Sequence, residues 1–150
     1  MISVHRGAAA LVIHASVALA IAVGASAAVA PAPANAASCV RFVGSNFDAP
    51  GNDNYAENLN GEWVRIKNVC STTKSIGGWK IHDAGRKHTY TIPSGYRIGA
   101  GRSVTLYTGR GTRTSAKLYW GRPYGAVWNN DGDKAYLRNG SGTILSTWTE

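Results

Sequence analysis

Beyond residue 36 no stretch of the sequence sustains an apolar period of 3.6 residues. Short aromatic and β-branched runs recur instead between Gly-, Asn- and Asp-bearing turns. A chain patterned this way offers no stripe for helix packing and must bury alternating strand faces, which points to a sandwich or barrel. The clearest run is 62–68, where Val64 and Ile66 face one way and Arg65 and Lys67 the other. Further strands are expected at 40–42, 79–81, 88–92, 102–107, 118–120, 126–128, 134–137 and 143–147. Residues 45–61 read as a polar loop. Asn129-Asn130-Asp131-Gly132-Asp133 reads as a hairpin loop, because Asn and Asp tolerate left-handed backbone and Gly supplies positive φ. Seven to nine strands of this length fit an all-β sandwich of immunoglobulin-like size.

The N-terminus is of another kind. A cationic head with Arg6 leads into an Ala/Val/Ile run without formal charge from residue 8 to 30. Ala34-Asn35-Ala36 follows, an A-x-A site. This order is that of a secretory signal peptide, so 1–36 is expected to be cleaved and 37–150 to form one domain. The run is long enough to span a membrane, but Ala gains little from lipid and no stop-transfer cluster follows. No further membrane insertion is expected, and the product should be secreted and extracellular. Thiols oxidise outside the cell, and Cys39 and Cys70 are the only two cysteines, so a disulfide between them is expected.

Several segments in order carry a resemblance: Glu62-Trp63-Val64-Arg65-Ile66-Lys67-Asn68; Ile76-Gly77-Gly78-Trp79-Lys80-Ile81; His88-Thr89-Tyr90-Thr91-Ile92-Pro93; Ile98-Gly99-Ala100-Gly101 leading into Ser103-Val104-Thr105-Leu106-Tyr107; and Val127-Trp128-Asn129-Asn130-Asp131-Gly132-Asp133 before Ala135-Tyr136-Leu137. Over nearly all of 39–147 the chain resembles a lamin tail domain of the secreted bacterial type. The resemblance implies an immunoglobulin-like sandwich and a binding or scaffolding role. It carries over no catalytic residue and no particular partner.

Catalytic chemistry needs convergent groups. His82 and His88 are the only histidines beyond residue 36, and a metal pair would need a third ligand. His82, Asp83 and Ser103 could be drawn as a hydrolytic triad, but no nucleophile elbow surrounds Ser103. A small secreted, metal-assisted hydrolase is therefore the alternative reading, and a protein self-assembling through a sheet edge is another. No cofactor is expected. Asn129, Asp131 and Asp133 have the oxygen spacing of a calcium loop but lack its downstream Glu, and turn chemistry accounts for the same residues.

Charge is the more informative feature. Beyond residue 36 there are 15 Lys+Arg against 8 Asp+Glu, and the whole excess lies between Ala84 and Asn130, which hold eight cations and no acid. Such asymmetry points to an anionic partner, nucleic acid or an anionic wall polymer, or else to a face that only maintains solubility; an envelope protein is a further possible partner. The candidate anion-binding set is Arg110, Arg113, Lys117 and Arg122, with Tyr119 and Trp120 beside them as exposed aromatics.

Overall fold

A computed structural model describes residues 38–52, 55, 56 and 58–150; the leader expected over 1–36 lies outside them. Ten strands are present among the described residues: β1 (Val40–Asn46), β2 (Trp63–Asn68), β3 (Lys74–Ser75), β4 (Lys80–His82), β5 (Thr89–Thr91), β6 (Arg97–Ile98), β7 (Ser103–Tyr107), β8 (Lys117–Tyr119), β9 (Lys134–Arg138) and β10 (Ile144–Thr149). The only helical segment among the described residues is a 3-10 turn at Leu59–Gly61. The strands form two four-stranded sheets, ordered β1-β2-β7-β8 and β10-β9-β4-β5, and a two-stranded β3-β6 sheet. All pairings are antiparallel except that of β7 with β8.

Period-two alternation builds the core. In the first sheet Val64 lies opposite Leu106 and Ile66 opposite Val104, and Val40, Phe42 and Leu118 join them on the buried face. In the second sheet Ile81 lies opposite Leu137. Both sets belong to one apolar cluster with Ile76, Ile92 and Ile98. Each buried aliphatic side chain contributes about 1.5–3 kcal/mol by leaving water. Cys39 and Cys70 are disulfide-bonded, with 5.2 Å between their Cα atoms. They sit just before β1 and just after β2, so the link closes the open end of that hairpin.

Three expectations need correction. The strand count is ten, because the two-residue strands β3 and β6 carry no readable alternation. Residues 126–128 are not a strand and 129–133 is not a hairpin loop: Val127 and Trp128 are buried, and their N–H groups donate to the Glu62 carboxylate at 3.1 and 2.9 Å. A buried acceptor anchoring two amides holds this segment without a ladder. The segment 45–61 is also less polar in effect than in composition. β1 continues to Asn46 past a bulge between Phe42 and Gly44, and Phe47, Ala49 and Leu59 are buried. Phe47 stacks on Trp128 with ring centroids 4.7 Å apart.

Candidate basic surface

The acid-free stretch is brought to the surface in turns. The turn after Ile92 and the turn before β8 are tied together, since the Tyr96 hydroxyl donates to the Thr114 carbonyl at 2.9 Å. The Thr114 hydroxyl in turn accepts the Ala116 and Lys117 N–H groups. This fixes Arg113 beside Arg97 around a depression of about 290 Å³ floored by Tyr96, Thr114 and Ser115. A second depression of about 260 Å³ lies between Arg97 and Arg102, against Ser103, Ser115 and Ala116. Arg97 and Ser115 belong to both, so Arg97, Arg102 and Arg113 share one continuous surface. All three side chains are exposed. The Arg113 charge reaches Tyr90 and Tyr96. Burial raises both phenols above the usual range, and Arg113 opposes that rise in each.

The candidate set read from the sequence is dispersed. Only Arg113 lines these depressions. Arg110 is exposed, with its carbonyl accepting the Asn60 side-chain N–H at 2.9 Å next to the 3-10 turn. Lys117 stands on the outer face of the first sheet, registered with Thr105 of β7, which is itself registered with Arg65 of β2. Arg122 is partly buried, and its Nε donates to the Gly125 carbonyl at 2.7 Å. The aromatics separate as well, because neighbours on a strand point to opposite faces. Tyr119 stacks on Tyr107 on the outer face, centroids 5.4 Å apart, and a Cβ on Gly111 would overlap its ring. Trp120 turns inward, edge-on to Trp128 at 6.0 Å and tilted on Tyr90 at 5.6 Å. It packs against the core and is not the exposed aromatic expected. Arg97 and Arg102 were not singled out in the sequence; their membership of the acid-free stretch was the only signal.

The outer face of the first sheet adds two cross-strand rows. Trp63, Tyr107 and Tyr119 form one, and Arg65, Thr105 and Lys117 the next. Arg65 lies over the Trp63 ring at 4.9 Å, and its Nε donates to the Thr105 hydroxyl at 3.0 Å. A solvent-exposed guanidinium on an aromatic face is worth about 0.5–1 kcal/mol.

The histidines do not converge with Ser103. His82 lies in the second sheet and Ser103 in the first. His82 Nε2 accepts from Arg138 Nε at 2.9 Å, and Nδ1 is 2.7 Å from the Asp83 carbonyl. His88 Nδ1 is 3.7 Å from Asp83 Oδ2. Burial, and then the Arg122 charge, pull the His88 imidazole below its usual range, against a smaller rise from Asp83. Asp133 is occupied by its own turn, with Oδ1 accepting the Lys134 N–H at 2.6 Å and Oδ2 the Asn129 N–H at 3.4 Å. Asp131 is exposed. Among the described residues no group of three His, Cys, Asp or Glu is placed to hold a metal.

The architecture is an all-β, immunoglobulin-like sandwich. Residues 33–150 match the Lamin Tail Domain family, and the chain belongs to it. The family is a non-catalytic, immunoglobulin-like binding and scaffolding domain. No curated protein matches the sequence. Among the described residues no helix is long and apolar enough to cross a membrane.

Proposed function

We propose that this lamin tail domain is a secreted, extracellular binding module that engages anionic polymers through its basic turn surface and performs no catalysis. The observation that carries the reading is the continuous surface of Arg97, Arg102 and Arg113 within a stretch that holds no acid. Exposed, unpaired cations gain little from each other and attract polyphosphate by releasing its counterions. The leader-like N-terminus and the disulfide support export. No cofactor is needed for such binding.

The test is binding of duplex DNA and of an anionic wall polymer across a salt series. With about three phosphate contacts the log–log slope on duplex DNA is about −3, at Kd values of about 10⁻⁴–10⁻⁶ M near physiological salt. Different DNA sequences should bind alike. Absence of binding at about 10 mM salt, where screening extends only beyond about 30 Å, would leave the charge as a solubility feature and refute the reading.

A further inference from the structure

The outer face of the second sheet carries a different cluster. Lys80 of β4 and Arg138 of β9 are direct register partners. Like charges directly opposite on a sheet face repel. Arg138 is nevertheless locked in place: Nε donates to His82 Nε2 at 2.9 Å, and Nη1 donates to the Gly142 carbonyl at 2.7 Å. An arginine only donates, so His82 Nε2 must accept and the ring proton sits on Nδ1, directed at the Asp83 carbonyl 2.7 Å away. His82 is buried and stacked on Tyr136 with centroids 5.0 Å apart, so the lock is rigid. Two of the five guanidinium N–H donors are thereby used, and the group is aimed without being neutralised.

Arg86 completes the cluster. It is the only non-glycine among the described residues with positive φ, at 55°, in the turn joining β4 to β5. Backbone of this kind is strained for a long side chain, and Gly85 stands next to it as a residue that would bear it freely. Strain of this sort is retained where a side chain has work to do. Lys80, Arg86 and Arg138 together surround a recess of about 280 Å³, with Thr89 and His82 in its wall. Lys80 and Arg138 are opposed, Arg138 is held, Arg86 lines the same recess from a positive-φ position, and no acid lines it.

We propose that this recess is a binding site for a phosphate or phosphate monoester. Such a group is compact and dianionic, and its oxygens can take the forked donors of two arginines, the Lys80 ammonium and the Thr89 hydroxyl at once. It would also relieve the repulsion between Lys80 and Arg138. The site lies on a different sheet from the Arg97–Arg113 surface and does not depend on polymer binding there.

The experiment measures thermal unfolding at fixed ionic strength, with chloride replaced by inorganic phosphate or by glycerol 3-phosphate. A parallel arm measures binding to phosphatidylcholine vesicles with and without phosphatidic acid. The free ligands report a soluble phosphate, and the vesicles report a lipid headgroup. The wild-type protein should gain Tm with ligand concentration and saturate, or bind the phosphatidic acid vesicles alone. Arg86→Asn keeps a residue that tolerates positive φ, and Lys80→Met removes the opposed charge without touching the lock. Each should leave the unliganded fold intact and weaken phosphate binding about tenfold or more. Arg97→Gln should change neither. A Tm that rises no more with phosphate than with chloride, together with no preference for phosphatidic acid, overturns the site. So does binding that survives both Arg86→Asn and Lys80→Met.

Discussion

The two sheets present cation-rich regions built in opposite ways. Beside the first sheet, Arg97 of β6 and the loop residues Arg102 and Arg113 stand exposed around shallow depressions. On the second, Arg138 is tied to His82 and Gly142, faces Lys80 across the ladder, and shares its recess with a strained Arg86. Free cations adapt to any phosphate spacing and respond to salt, because their contribution is counterion release. Held cations fit one geometry and lose less conformational freedom on binding, as preorganised groups do. The same residue types thus lead to two expectations: a tolerant, salt-sensitive surface and a selective, shape-limited recess.

The largest expected effect tests the scaffold that separates them. Replacing Cys39 and Cys70 by Ser should cost about 3–4 kcal/mol for a loop of this length, read by denaturant unfolding. Because the link flanks β1 and β2, amide exchange should rise first in the first sheet and later in β4 and β9. Uniform acceleration would mean that the two regions unfold as one and that the contrast has no dynamic counterpart.

Glu62→Gln comes next. The Glu62 carboxylate accepts the N–H groups of Val127 and Trp128 in the buried interior. An amide offers one acceptor oxygen, so one amide N–H loses its partner, at a cost of about 1–3 kcal/mol. Near-UV circular dichroism should show altered packing of Trp128 against Phe47 and Trp120. Phosphate binding at the recess, which lies on the far sheet, should survive.

The smallest effect is on pH. Burial and Arg122 hold the His88 imidazole below its usual range, so the unfolded chain takes up this proton before the folded one does. Stability should be full above the unfolded histidine value of about 6.5 and should decline as pH falls from there toward the lower folded value. In His88→Gln the stability profile between pH 7 and 5 should be flatter than in wild type. An unchanged profile would show that His88 is not held neutral by the fold.

The sandwich was legible because its central strands alternate cleanly. Val64 and Ile66 against Arg65 and Lys67 fix both a strand and its buried face, and the disulfide follows from the count and the expected compartment. The errors fell where long-range contacts decide. Asn129-Asn130-Asp131-Gly132-Asp133 has every mark of a hairpin turn, yet Val127 and Trp128 answer to Glu62, some 65 residues earlier. β3 and β6 are too short for a period, and only their pairing defines them. Trp120 was expected to be exposed with Tyr119, but a period of two turns it inward and leaves Tyr119 outside.

The basic stretch was legible as a composition and not as a place. Its eight cations are spread over several turns and strands, so the continuous part had to come from the tie between Tyr96 and Thr114. The recess could not be read at all. Lys80 and Arg138 are far apart in sequence, and nothing between the strands at 79–81 and 88–92 shows that Arg86 would carry a positive φ.

The most direct measurement is the salt dependence of duplex DNA binding by wild type, by the triple variant Arg97→Gln, Arg102→Gln, Arg113→Gln, and by the double variant Lys80→Met, Arg86→Asn. The account predicts that the triple variant loses most of the slope of about −3 expected from counterion release, while the double variant keeps most of it. Equal slopes for wild type and triple variant, or a wild-type affinity indifferent to salt, would contradict it.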